Sequence, residues 1–219
     1  MRTLESWLPE WSVVDMGEKT LPVHERYQRE CAFMKEIGAK LFCLGTLPEL
    51  AGTSAPGPFQ SGTGGNFAMK HPDHSGRFVV TARGAHKGQL GEGDFVEITK
   101  TDWVRHTVYV RRDRKNALPS TDSLLVATAF EADPTLTAWI HFHQAVVTPH
   151  SVQLSYPALS LEDHGALALV IREGGRVINM IDHNLFFKNL PDNTPDAAII
   201  VGSYPKETSG LATRLLSSS

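Results

Sequence analysis

Four short runs between residues 66 and 112 constrain this chain most. "NFAMK", "RFVVTA", "GDFVEIT" and "TVYVRR" are rich in β-branched and aromatic residues that alternate with polar ones, the pattern of half-buried strands. The turn-like "HPDHSG" separates the first two, so antiparallel hairpins are the natural result. Ahead of them, Tyr27, Cys31, Met34, Ile37 and Leu41 recur at three- and four-residue intervals, predicting one amphipathic helix from Pro22 to Leu44. After the hairpins, "PSTDSLLVATAFEADP" reads as a helix ending near Asp133, and "TAWIHFHQAVV" as a buried strand. "LSLEDHGALALVIRE" reads as a second helix of this half, and "RVINMID" and "DAAIIVGSY" as strands. Helices and strands are mixed without regular βαβ alternation. The expected fold is therefore α/β, with an antiparallel or mixed sheet and helices on its faces.

Bulk properties narrow the partners. The 219 residues carry a net charge of −3, so no global positive field favours nucleic acid or an anionic membrane surface. A small-molecule ligand fits better. Two cysteines, Cys31 and Cys43, are too few for a disulfide framework, which points to a reducing cytoplasm. No apolar run suggests a membrane span, and "MRTLESWLPEW" lacks the apolar core of an export signal. Gly, Pro, Ser and Thr crowd the stretch at about 45–65 into a long loop, a length that in compact chains often accompanies binding. The basic "RRDRK" at 111–115 has no interleaved aromatics and reads as a solvated hairpin turn; His71, His74 and His86 read as surface residues.

The chemistry concentrates in "WIHFHQ". Side chains alternate across a strand, so His141 and His143 point to one face. Such a pair can give two nitrogens to Zn²⁺ at about 2.0–2.1 Å, with a third protein ligand still required. It can equally be two histidines bonded to backbone carbonyls. Asp122, in "LPSTD" at the start of the helix leading into this strand, has two readings as well. It is either a general acid or base beside a metal, or an N-cap that stabilises the helix dipole.

"PSTD" followed by His-x-His on a strand resembles the class II aldolase/adducin family, whose sugar-phosphate aldolases carry Pro-Ser-Ser-Glu before His-x-His. Upstream, "GTGGNFAMK" is similar to the family's Gly-Asn strand start, and "FVVTARGAHKGQLGEGDFVEI" to its Thr-Pro-Ser-Gly segment. These landmarks fall in order over roughly residues 22 to 145. The resemblance implies a three-layer α/β/α domain spanning 1–219 with a central, mainly antiparallel sheet. It also implies a homotetramer with sites between subunits, and a divalent metal, Zn²⁺ first among candidates. The third metal ligand it implies is His183 in "VINMIDHNLFF", with His164 in "EDHGAL" as the competitor. Asn66, Thr81, Gly84, Ser120 and Thr121 occupy the positions of the family's phosphate pocket; Arg83, in place of the family's serine, can bind phosphate or carboxylate through two N–H groups. His86 is a remoter substrate contact.

The departures from the family pattern are specific. Asn184 stands where the family has Gly, and Asp122 where it has Glu, a reach shorter by about 1.5 Å. The expected activity is a metal-dependent lyase of aldolase type on a small hydroxy-carbonyl substrate such as a sugar phosphate. Asp122 would move the proton, and His141, His143 and His183 would hold a metal that stabilises an enediolate. The alternatives are a non-catalytic, adducin-like module for oligomerisation or protein binding, and an epimerase or dehydratase of the same family.

Overall fold

The hairpins expected from the alternating runs form as such. The computed structural model describes residues 12–17, 21–47, 62–146, 148–155, 161–181 and 195–217. β2 (Asn66–Lys70), β3 (Phe78–Thr81), β4 (Phe95–Asp102) and β5 (Thr107–Arg112) pair antiparallel in succession. β1 (Ser12–Asp15) adds parallel to β5 at one edge. Beyond β2 lie β6 (Ala138–Phe142), β9 (Pro195–Gly202), β8 (Val177–Ile181) and β7 (Ser151–Ser155). Among the described residues this makes one nine-stranded sheet, ordered β1-β5-β4-β3-β2-β6-β9-β8-β7. Only the β1–β5 and β7–β8 pairs are parallel, so the sheet is mainly antiparallel, as expected.

Five helices accompany it among the described residues: α1 (Val23–Arg26), α2 (Gln28–Cys43), α3 (Ser123–Ala132), α4 (Leu161–Arg172) and α5 (Pro205–Ser217). Alternation along the strands fixes which face each covers. Phe78 meets Phe130 of α3 edge to face, whereas the register partner of its neighbour Val79 is Glu97, which binds Tyr27 between α1 and α2. Successive residues point to opposite faces, so α3 covers one side of the sheet and α1–α2 the other. α4 packs on α3, and α5 packs with α2. The layers are helix, sheet, helix.

The stripe Tyr27, Cys31, Met34, Ile37 and Leu41 is buried throughout, as the periodicity requires. The predicted single helix is nevertheless two. Tyr27 leaves helical geometry (φ −119°, ψ 40°), with its ring fully buried and its hydroxyl donating to Glu97 at 3.0 Å. A tertiary hydrogen bond thus sets the break. Sequence reading also passed over β1, β7 and α5. β1 is an exposed four-residue edge strand, too short to show alternation, whereas α5 does bury Thr208, Ala212 and Leu216 along one face.

"RRDRK" is only partly the solvated turn it resembled. Arg111 and Arg112 are strand residues; Arg112 donates to Asp15 at 2.8 Å, and Asp113 accepts the Val23 amide at 2.8 Å. Arg111 belongs to a buried charge cluster centred on Glu97, whose side chain is fully shielded from solvent. Arg26 donates to Glu97, while Arg111 and Arg77 lie at 3.7 and 3.9 Å. The carboxylate therefore ties α1, β4, β5 and the β2–β3 turn together. Removing one partner of such a buried ionic cluster leaves the others uncompensated. We expect Glu97→Ala to lower unfolding free energy by about 3 kcal/mol or more in urea titration; a change within 0.5 kcal/mol, the range of ordinary surface substitutions, would show that the cluster contributes little.

Candidate functional site

The site grows from one register pair. Asn66 on β2 sits opposite His141 on β6, and partners in register share a face. That face is the α3 side, where Asp122 stands at the N-terminus of α3. His141 is 1% exposed and its Nδ1 lies 3.2 Å from the Ala198 carbonyl of β9. With Nδ1 donating there, Nε2 keeps its lone pair. His143 follows just past the end of β6, its amide donating to the Thr46 carbonyl at 2.9 Å. The two rings lie 5.1 Å apart, centroid to centroid, at 52°. The two imidazoles thus lie side by side, although only His141 is in the strand.

Gly64 and Gly65 hold this pair from beneath. A Cβ on Gly64 would meet Nε2, Cδ2 and Cε1 of His143 at 3.0–3.1 Å, so the glycine backbone lies over the ring face. Gly65 adopts φ +79°, and a Cβ there would strike the His141 carbonyl at 2.5 Å. Neither position admits a side chain without moving a histidine-bearing backbone or ring.

The Asp122 side chain does not serve as the cap. The residue occupies the N-cap position of α3 but makes no capping hydrogen bond. Its carboxylate turns inward instead, accepting from Asn66 Nδ2 and lying 3.9 Å from His141 Nε2. Asn66 is fixed in turn by Trp139, whose indole N–H donates to Asn66 Oδ1 at 2.8 Å. Burial raises the Asp122 carboxyl to about 6, opposed by the Asn66 hydrogen bond and the charges of Arg83 and Lys87. Burial lowers the His141 imidazole to about 4, with the Ala198 carbonyl working the other way and Lys87 adding to the lowering. At neutral pH, His141 is therefore neutral, and its contact with Asp122 is no ion pair.

The other expected residues divide. Arg83 is within electrostatic reach of Asp122, and its amide donates to the Leu118 carbonyl at 2.8 Å, joining the "TARG" and "LPSTD" segments beside the Ala82–Pro119 bridge. Gly84 takes φ +73°, a turn that a side chain would strain. Ser120 accepts the Asp122 amide at 3.3 Å, and Thr121 helps to hold the Asp122 carboxyl down. Thr81 is fully buried and its hydroxyl accepts the Phe67 amide at 3.2 Å, a bond that closes β2 on β3. Its placement is structural.

His183 lies outside the described residues. His164, the competing candidate, is buried. It is 7% exposed, with Nδ1 3.0 Å from the Thr128 hydroxyl and its ring 4.0 Å from that of Trp103. Its described contacts are thus with the middle of α3 and the β4–β5 turn rather than with the histidine pair. His86 packs on Phe42, and His71 on Tyr27 and His74. Among the described residues, no group of three or more His, Cys, Asp or Glu forms a metal-binding cluster.

Sequence reading missed Lys87. It is 3% exposed, its ammonium donates to the Thr63 carbonyl at 2.8 Å, and burial lowers it to about 8, against the opposing pull of Asp122 and Asp94. A lysine between two glycine-containing turns carries no burial signal of its own. Only the fold encloses it.

Residues 57–187 match the family described as the class II aldolase and adducin N-terminal domain. Methylthioribulose-1-phosphate dehydratase of Gluconacetobacter diazotrophicus is 30% identical over 105 residues, covering 48% of this chain and 46% of that protein. The enzyme of the same name from Gluconobacter oxydans is 27% identical over 149 residues, covering 68% of this chain and 61% of that protein. The chain thus spans about half the length of these curated relatives. Among solved structures, YgbL from Klebsiella pneumoniae superposes with a TM-score of 0.58 at 17% identity, covering 87% of this chain and 86% of that one. At that identity the likeness is one of fold.

The two shifted groups oppose each other in their effect on stability. Between about pH 4 and 6 the folded protein still holds the Asp122 proton that the unfolded chain has released, so this group lowers stability as pH rises. His141 does the reverse, because the unfolded chain takes up its proton first as pH falls from 6.5 toward about 4. Asp122→Asn removes only the first effect. In metal-free protein we expect Asp122→Asn to gain stability over the unmutated chain by on the order of 2–3 kcal/mol more at pH 7.5 than at pH 4. Denaturant melts at the two pH values measure it. A pH-independent difference would mean that the carboxylate is not buried at this cost.

Proposed function

The chain belongs to the class II aldolase and adducin family, and on that premise we propose that it is a metal-dependent lyase. Its substrate is a small hydroxy-carbonyl compound carrying an anionic group, and its reaction is dehydration of a ketose phosphate. The observation that carries the catalytic part is Asp122. A residue at a helix N-terminus, where capping would stabilise it, instead turns its carboxylate into a buried site beside a neutral histidine. A non-catalytic scaffold has no use for that cost. The names of the two curated relatives favour dehydration over the carbon–carbon cleavage expected from the motif alone.

The donor set suits a divalent metal such as Zn²⁺. His141 is neutral, its Nδ1 faces a backbone carbonyl, and Nε2 remains as ligand, an arrangement that metal-binding histidines commonly show. His141 and His143 would hold the metal together with His183. A metal held there supplies Lewis-acid polarisation of the substrate carbonyl.

The chain's own groups do the rest. Asp122, oriented by Asn66, takes the proton from the carbon next to the carbonyl. It then returns that proton to the hydroxyl leaving the adjacent carbon, which departs as water, and a carbon–carbon double bond forms between the two carbons. Burial raises this carboxyl above the usual carboxylate range, which makes it a better base for the first half and a usable acid for the second. Arg83, Gly84, Ser120 and Thr121, gathered where the "TARG" segment meets the start of α3, receive the substrate's anionic group.

The test begins with metal content in untagged protein. Stoichiometric metal is expected, with its loss in His141→Ala and His183→Ala and its retention in His164→Ala. A protein that neither holds nor takes up Zn²⁺, Mn²⁺ or Co²⁺ sinks the reading. Asp122→Asn should keep its metal and lose about 10²–10⁴-fold in kcat on methylthioribulose 1-phosphate. For the unmutated enzyme, kcat/KM should fall as acidification protonates Asp122. Release of an aldehyde fragment in place of water would assign the chain to aldol cleavage.

A further inference from the structure

We propose that Lys87 is a positioning residue for the histidine pair, fastening the Gly62–Gly65 backbone so that it bears on the imidazole of His143. A buried cation is costly unless its surroundings compensate it. Lys87 is enclosed, and its ammonium donates not to a carboxylate but to the Thr63 carbonyl, at 2.8 Å. Two more bonds join the same two segments. The Lys87 amide donates to the Thr63 hydroxyl at 2.9 Å, and the Thr63 amide to the Ala85 carbonyl at 3.3 Å.

The clamp has rigid backing. A Cβ on Gly38 of α2 would lie 2.2 Å from the Lys87 carbonyl, and one on Gly62 would lie 2.1 Å from the Gly84 carbonyl. The 84–88 segment is thus pressed between α2 and the Gly62–Gly65 backbone, with Gly88 against the Phe42 ring. The residue after Thr63 is Gly64, whose backbone covers the His143 ring face, and the next is Gly65, lodged against the His141 carbonyl. Force applied at the Thr63 carbonyl is therefore one and two residues from both histidine contacts. His143 lies beyond the last residue of β6, outside the strand ladder that fixes His141. The glycine backbone does for its ring what the ladder does for its neighbour.

The metal-binding arm of the test rests on the proposed metal site; the other arm does not. In metal-free protein with labelled histidine, the ring resonances of His143, assigned with His143→Gln, are followed by NMR below the melting transition. Lys87→Met should move them while the protein stays folded; a lysine that serves stability alone would lower the melting temperature and leave them in place. In parallel, Co²⁺ affinity should fall about 10–100-fold, the usual cost of losing an outer positioning contact, with a changed visible absorption band. Where Lys87→Met does not fold, Thr63→Val, which removes the Lys87 amide's acceptor, should shift the same resonances. Unmoved His143 resonances in the folded variant overturn the proposal. If the unmutated protein binds no Co²⁺, the metal reading fails, and the NMR arm alone decides the role of Lys87.

Discussion

One side chain holds the site in register with the sheet. Asn66 accepts the Trp139 indole N–H through Oδ1 and donates to Asp122 through Nδ2, linking β6, β2 and the start of α3. Both amide functions are used, and the three residues are all at least 96% buried. Because the amide's donor must find an acceptor, the Asp122 carboxylate is drawn away from the free amides of its own helix. An apolar residue at 66 would leave Trp139 with a buried unsatisfied donor and Asp122 with one fewer partner.

That arrangement gathers unusual charges at one place. Asp122, His141 and Lys87 are all buried, and each is shifted toward its neutral form by loss of water. Perturbed groups concentrate at functional sites because chemistry needs them and stability does not. The Glu97 cluster on the other face is the contrast. There a buried carboxylate meets several guanidinium groups and a hydroxyl, and the result ties elements together. Charges that compensate one another build the frame; at the histidine pair burial instead shifts each group toward its neutral form.

The legible parts of the fold were those in which local pattern and burial agree. The strands of the hairpin half, the helix after "PSTD" and the His-bearing strand all formed, because each run is apolar enough to be buried and has a turn signal at its end. The break at Tyr27 was not legible, since it depends on a hydroxyl reaching a carboxylate on β4. Nor was Thr81's use as a strand-closing hydrogen bond, or Lys87's burial. Hydroxyl and ammonium groups have the same sequence appearance whether they face substrate, backbone or water.

The sequence by itself put His141 and His143 two residues apart at the end of one strand, the spacing that aims both rings to one side. It also placed Asp122 at the start of the helix leading into their strand. It could not choose between a cap and an acid, since both need a short carboxylate at the same helix position. Tertiary structure turned the carboxylate away from the cap by setting Asn66 opposite His141 and within reach of it. It likewise folded the "AHKGQ" segment over the Gly62–Gly65 backbone and enclosed Lys87. Both outcomes depend on contacts between residues far apart in the chain, whose partners are fixed only once the sheet has its order.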